Sequence, residues 1–354
     1  PWARRLAAAA ALVLQGREGD VWRALWAESS AARSAAQRAL VLAASPRFDT
    51  WLEGQLASDP VGSHRAVVLS VAAGRGLAVA SLLPSLQAEA ADERAAALVL
   101  ARCADPARHL PAVEALLHDA DPRVRDEALL TALVLGSFYG YRVCVERALD
   151  AQVVDAGAMV LLALVGRRED QRGLLAHLAR DAHRRSALVA MGYSGHLGFV
   201  PALLEVVAGS DEHAARLAGE AVMGITGLRA EPRDTPDDDP LPPLAEDDLD
   251  ADLAPAAEAE LPLPDATSLA ASWERHRPAL PEAQRLLEGA AWSTDGVLAA
   301  LESGPLRRRH ALARWLLVST GGAAALDTRA LVPRQRDALA ALRLYTPAAV
   351  RSYG

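Results

Sequence analysis

The residue types that most often carry chemistry are few in this chain, and they are scattered. Nine histidines stand at 64, 109, 118, 177, 183, 196, 213, 276 and 310. No two are three or four residues apart, so no helix presents two imidazoles on one face, and the H-E-x-x-H pattern of a zinc site is absent. Cys103 and Cys144 are distant in sequence and neither belongs to a C-x-x-C pair. Both fall in expected helices and are read as small buried apolar side chains in a reducing cytoplasm. Gly192–Gly195 reads Gly-Tyr-Ser-Gly, one residue short of a G-x-S-x-G nucleophile elbow and with no strand before it. No Walker loop occurs, and Gly74 and Gly76 in "VAAGRGLAVA" are read as turn glycines. Asp92–Arg94 and Arg125–Glu127 place acids beside bases, which is the ordinary make-up of a solvated helix face. The expectation is a protein that is not an enzyme, with no catalytic residue, metal ligand or cofactor site.

The elements around these residues follow a repeating plan. In "HDADPRVRDEALLTALVLGS", His118–Ser137, Asp121 is placed to cap a helix and Pro122 to open it. Val124, Ala128, Ala132 and Leu135 recur at helical spacing, and Gly136 suits a left-handed helix end. Upstream, Pro111 opens a second apolar run, Val113 to Leu117, so residues 111–136 read as two antiparallel helices. The spacing of Arg125, Ala128 and Gly136 returns as Arg65, Val68, Gly76, as Arg184, Ala187, Gly195 and as Arg216, Gly219, Gly227. Weaker copies have Arg94 and Ala97 with Asp105 in place of glycine, and Asp155 in place of arginine before Ala158 and Gly166. The markers therefore stand at 65, 94, 125, 155, 184 and 216, an even step of roughly 30 residues.

A step of that length made of two helices implies an α-solenoid, because one pair cannot bury its apolar face alone. The pattern resembles HEAT repeats of the short, Ala-rich bacterial type, with "DADPRVRDEAL" carrying the resemblance best. The expected fold class is all-α: about six to seven antiparallel helix pairs, then an acidic linker and a small helical C-terminal part. Composition fits, with 51% hydrophobic but only 4% aromatic residues, as in helices packed through small side chains. Strands are not expected. All 37 basic residues are arginine, which is read as GC-rich coding. No apolar run approaches the length that crossing a bilayer requires, so no membrane span is expected. Leu6–Leu14 after Arg4 and Arg5 mimics a short signal core but is read as a solenoid helix, and Pro1 in place of Met points to an upstream portion.

Three regions follow from charge and proline. Residues 1–230 are the HEAT-like solenoid, with net charge −1. Residues 231–264 hold twelve acids, one arginine and eight prolines, net −11, and read as an extended, flexible acidic linker or as a mask over a basic surface. Residues 265–354 carry net +4 and read as helices, a degenerate repeat or a cap, with Asp265 capping the first and a pair whose second helix runs from about Leu306 to Ser319.

The order of "ARLAGEAVMGITGL", the acidic Pro-rich stretch, "LPLPDA" and "SWERHR" makes Ala182–Leu317 resemble an uncharacterised proteobacterial HEAT-repeat family. Genes of that family are often seen beside type VI secretion components, so the resemblance implies an assembly or adaptor role and a secretion-associated effector or spike component as protein partner. After "ALARWLLVSTGG" this sequence departs from that family's aromatic, Arg-rich segment. Arg65, Arg94, Arg125, Arg184 and Arg216 are expected to form a structural ladder, each reaching a neighbouring repeat's carboxylate or helix C-terminus, such as Asp59, Asp121 or Asp181, with Gly76, Gly136, Gly166, Gly195 and Gly227 at the repeat turns. Trp22 and Trp26, four apart on one helix, Trp51, and Trp273 beside Leu269 are candidates for core packing or partner contacts. The leading expectation is a cytoplasmic protein-binding scaffold using a concave face, with no nucleic acid and no membrane as partner. The alternatives are a DNA-glycosylase-like nucleic-acid binder, disfavoured by the balanced charge, and a bilin-lyase-like protein.

Overall fold

The computed structural model describes residues 2–27, 30–42, 45–58, 63–79, 81–229, 231–233, 258, 260–282, 284–344 and 353. Among these residues the fold is all-α. The helices in chain order are α1 (Trp2–Leu14), α2 (Glu18–Ala27), α3 (Ser30–Leu42), α4 (Pro46–Ala57), α5 (Ser63–Arg75), α6 (Leu83–Leu86), α7 (Ala91–Ala101), α8 (Pro106–Ala115), α9 (Pro122–Leu135) and α10 (Phe138–Leu149). There follow α11 (Ala156–Val165), α12 (Arg168–Arg172), α13 (Asp181–Met191), α14 (Val200–Val207), α15 (Glu212–Thr226), α16 (Ala266–His276), α17 (Thr294–Ser303), α18 (Leu306–Ser319) and α19 (Val332–Leu344). The described residues also include two strands of two residues each, β1 (Leu286–Leu287) and β2 (Ala290–Ala291), paired antiparallel. The chain forms two compact units: Pro1–Val143 with Ala313–Tyr353, and Cys144–Leu312.

In the first unit the odd-numbered helices pack in chain order: α1 on α3, α3 on α5, α5 on α7 and α7 on α9. Each of α2, α4, α6 and α8 packs on the odd helix that follows it. Small side chains allow this spacing: Ala97, Ala101, Ala128 and Ala132 are fully buried beside Leu98, Leu129 and Leu133. Gly74 lies inside α5, not in the turn expected for it, where an added Cβ would come 2.7 Å from the Val41 methyls of α3. Thr131 of α9 donates to the Leu98 carbonyl of α7 at 3.0 Å and accepts from Arg102 Nε at 3.1 Å, so one buried hydroxyl ties two helices together.

Local chemistry sets the helix starts. Asp121 accepts from Arg123 N at 2.8 Å ahead of Pro122, and Gly136 ends α9 with φ 85°. Asp105, read as a stand-in for a helix-ending glycine, instead caps α8 by accepting from Ala107 N at 3.0 Å, with Pro106 as the first residue. The helix therefore begins five residues before Pro111, which sits inside it. Cys103 lies past the end of α7 and is exposed, contrary to its reading as a buried helical residue, whereas Cys144 is buried in α10.

In the second unit α13 packs between α11 and α15, α12 packs on α11, and α14 packs on both α15 and α16. The strands, not foreseen in the sequence, form a two-residue hairpin whose turn residues Glu288 and Gly289 both have positive φ, 52° and 83°. Positive φ at both central positions is what a tight hairpin turn demands. The acidic linker expected over 231–264 lies largely outside the described residues. At its margins Arg233 N donates to Leu263 O and Asp265 N to Glu231 O, both at 2.8 Å. Asp265 then caps α16 by accepting from Ser268 N at 2.7 Å.

Two glycines separate conformational from steric cost. Gly76 has φ 73° with open space where a Cβ would stand, whereas Gly227 has φ 72° and its Cβ would run into the Glu288 carbonyl. Gly76→Ala is expected to lower unfolding free energy by about 1 kcal/mol, and Gly227→Ala by about 3 kcal/mol. Urea denaturation of the two variants measures this. Equal losses would show that the hairpin yields without resistance at Glu288.

Candidate functional site

The tryptophans of the first unit come together. Trp22 is buried at 6% exposure, while Trp26 and Trp51 remain 38% and 39% exposed. The Trp22 ring is 4.9 Å from Trp51 and 6.0 Å from Trp26, both edge-on, the geometry that the aromatic quadrupole favours. Sequence reading missed three neighbours. Phe48, three residues before Trp51 on α4, stacks on it at 5.3 Å, and His64 of α5 stacks on Trp26 at 4.3 Å. The Arg75 guanidinium stands 5.2 Å over Phe48, donates to Leu40 O at 2.7 Å and to Ser45 O at 3.2 Å, and pairs with Asp49. The i, i+3 spacing of Phe48 and Trp51 was a readable signal. His64 and Arg75 had none, because their role depends on where α5 docks. Trp273 belongs to the second unit, where it is buried beside Leu269 on α16 with Arg277 5.9 Å from its ring.

Three of the ladder arginines share one geometry. Arg94 Nη1 donates to Ala88 O at 2.8 Å and Glu89 O at 2.6 Å. Arg125 Nη1 donates to Asp119 O at 2.8 Å and Ala120 O at 3.0 Å, and Arg184 Nε to Leu178 O at 2.7 Å. Each acceptor lies five or six residues upstream, so the guanidinium folds back over the turn before its own helix. Ion pairs are superimposed on this: Arg65 with Glu93 at 3.1 Å, Arg94 with Asp119 at 2.8 Å and Arg184 with Asp181 at 2.8 Å. The Arg94 hydrogen bond holds the Asp119 carboxyl below its usual range. Arg216 instead reaches the Leu261 carbonyl, and Asp121 binds Arg123, not a ladder arginine. Asp59 lies outside the described residues. Asp155, standing where the ladder lacks an arginine, caps α11 and pairs with Arg147 at 2.6 Å. Of the turn glycines, Gly76, Gly136, Gly195 and Gly227 are left-handed, whereas Gly166 ends α11 in extended backbone.

Sequence reading also missed a clasp over the helix ends of the second unit. A helix leaves its last four carbonyls without internal partners. Arg285 donates to Ala163 O at 2.8 Å and Leu164 O at 2.5 Å at the end of α11, and to Tyr193 O at 2.6 Å and Ser194 O at 2.8 Å just past α13. It stacks 3.8 Å over Trp292. Hairpin amides continue the pattern: Leu286 N donates to Gly195 O at 2.7 Å, and Glu288 N and Gly289 N to Gly224 O and Ile225 O of α15 at 2.9 and 3.0 Å. Arg308, buried over Tyr193, donates to Gly192 O at 2.8 Å. Burial lowers the Arg285 pKa to about 9, so it is a cation at neutral pH.

The buried imidazoles have neighbours of like charge. His196 is pushed down to about 4 by burial, then by Arg285, Arg168 and Arg172. His177 is also lowered, chiefly by burial, and stacks on His183 at 4.8 Å. Among the described residues no group of three or more His, Cys, Asp or Glu is placed to hold a metal ion, and no helix is long and apolar enough to cross a membrane. No family model matches the chain, and no curated protein matches its sequence.

Two measurements probe this chemistry. Arg285→Met leaves four carbonyls facing an apolar side chain, and is expected to cost about 3–5 kcal/mol of stability by thermal or urea unfolding. His196 has a folded pKa below its unfolded value, so the unfolded chain binds the extra proton and stability falls as pH drops from about 6.5 toward about 4. His196→Gln is expected to flatten the acid limb of a melting-temperature profile over that window. An unchanged slope would assign it to other groups.

Proposed function

We propose that the chain is a non-enzymatic protein-binding scaffold: a HEAT-like α-solenoid of about six to seven helix pairs, acting in the cytoplasm as an adaptor. The solenoid reading is supported by the succession in which each odd helix packs on the next in both units, with even helices at their sides. The even spacing of the repeat markers supports it too, since stacked repeats contact only their neighbours. The observation that carries the function is the tryptophan patch. A buried Trp22 holds two half-exposed indoles in fixed edge-on contact. Rigid tryptophans lose little entropy on binding and dominate hot spots. The resemblance of Ala182–Leu317 to a family encoded beside type VI secretion components points to assembly or effector loading in such a system, with an effector or spike component as partner.

The test is affinity capture by the full chain, compared with Trp26→Ala/Trp51→Ala. One dominant protein is expected with the wild-type chain. Its apparent affinity should fall at least about 30-fold in the double variant, as loss of about 2 kcal/mol at a hot spot implies, with far-UV dichroism unchanged. Equal capture by both chains, or recovery of nucleic acid that is lost with salt, overturns the reading.

A further inference from the structure

A second exposed feature lies in the second unit, away from the tryptophan patch in sequence and unlike it in chemistry. Arg168, Leu197, Gly198, Pro201, Trp273, Arg277 and Glu282 line a cleft of about 150 Å³. That volume is below the roughly 300–1,000 Å³ of cofactor and small-molecule sites, so the cleft holds one side chain or a small anion.

Its lining is divided. Leu197, Pro201 and the buried Trp273 supply apolar contact, while two guanidiniums and the Glu282 carboxylate at the Arg277 side supply charge, one positive charge in excess. Arg168 has no hydrogen-bond or ion-pair partner among the described residues. Arg277 meets Glu282 only at 3.5 Å, with half of its side chain exposed. Such a contact between exposed groups is worth little, so it leaves Arg277 ready to exchange partners. Arg172, one turn after Arg168 on α12, likewise has no described partner. Arg168 and Arg172 both act on His196, next to Leu197, with Glu169 opposing them, so the two arginines face this corner. A free Arg168 and a loosely paired Arg277, lining one cleft with an indole and a proline, suit a group with a short apolar stem and a planar anionic head. Guanidinium binds carboxylate in a matched, bidentate fork, and methylenes pack on the rings. A phosphate would leave the apolar walls unused.

We infer that this cleft is a docking point for a glutamate or aspartate side chain of an acidic peptide segment on the protein partner, its carboxylate held by Arg168 and Arg277 and its stem lying on Trp273 and Pro201. The inference deepens the adaptor reading and rests on it only in assigning the carboxylate to a protein. A second contact of this kind on the same chain adds avidity to the tryptophan patch without enlarging either.

The test is fluorescence anisotropy with the full chain and a fluorescein-labelled peptide, Gly-Ser-Glu-Glu-Leu-Gly, against its Gln-Gln counterpart. Expected are saturable binding of the acidic peptide, no saturation with the amide peptide, and weakening as salt rises from low to physiological concentration. Arg168→Ala and Arg277→Ala are each expected to weaken binding about 10-fold. Both replace exposed side chains, and unchanged melting confirms folding. Tighter binding in a full chain carrying Asp237→Asn, Asp238→Asn and Asp239→Asn also supports the cleft, with the chain's own acidic stretch as its competitor. Equal binding of the acidic and amide peptides, binding unaffected by both arginine variants, or displacement of the acidic peptide by equimolar inorganic phosphate overturns it. Such failure leaves the capture experiment on Trp26 and Trp51 untouched, so the two readings fall separately.

Discussion

Every helix ends in carbonyl groups that the helix itself cannot satisfy, and this chain has many short helices packed side by side. The cost of leaving such groups buried and unpaired is about 1–3 kcal/mol each, so a protein of this kind stands or falls on where those carbonyls find donors. Arginine is the recurrent answer. One guanidinium carries five N–H donors in a rigid plane, enough to serve the ends of two helices at once. Arg285 does this for α11 and α13, and the Gln171 amide donates to Leu162 O and Ala163 O of α11 and to Gly166 O just past it, at 2.9–3.1 Å. In the first unit Arg75 and Arg334 serve Leu40 and Val41 at the end of α3, and the Tyr353 hydroxyl donates to Leu133 of α9 at 2.8 Å. A lysine would offer a point charge in place of a planar fork.

This requirement also accounts for the perturbed ionisation of Arg285 and His196. Displaced pKa values cluster at active sites in many proteins, but structural networks produce them equally well. Arg285 is lowered because it is enclosed among carbonyls and an indole, and His196 because it is buried beside arginines. In both cases the leading cause is burial. The two features proposed to bind are exposed: the indoles of Trp26 and Trp51, and the Arg168–Arg277 cleft. Their chemistries differ, one apolar and rigid, the other cationic with an apolar floor. A partner that satisfies both must present an apolar surface and an acidic side chain, which is a more selective demand than either alone.

Much of the local structure was legible from residue type. Asp121 with Pro122, Asp265 and Gly136 mark helix ends through side-chain acceptors, a fixed φ or a tolerated positive φ, and these are properties of one or two residues. Pro111 misled because the stronger start signal, Asp105 with Pro106, had been assigned to another role. Cys103 misled because composition says only that cysteines are usually buried, whereas its position past the last turn of α7 decides its exposure. Trp22, Trp26 and Trp51 were singled out by type and spacing, but which ring would be buried was not readable, since that depends on how α2, α4 and α5 meet.

By itself, the sequence determined the helical class, the even recurrence of its markers and most of the turns, because periodicity and capping are short-range properties of the chain. Only the tertiary structure decided what serves the helix ends. Arg285 lies 91 residues from Ser194 and 121 from Leu164, and Tyr353 lies 220 from Leu133. No local pattern announces such partners, because an arginine in a loop looks the same whether it faces water or four carbonyls. The cationic cleft likewise exists only where α12, the start of α14 and the end of α16 converge, and that convergence is a consequence of packing.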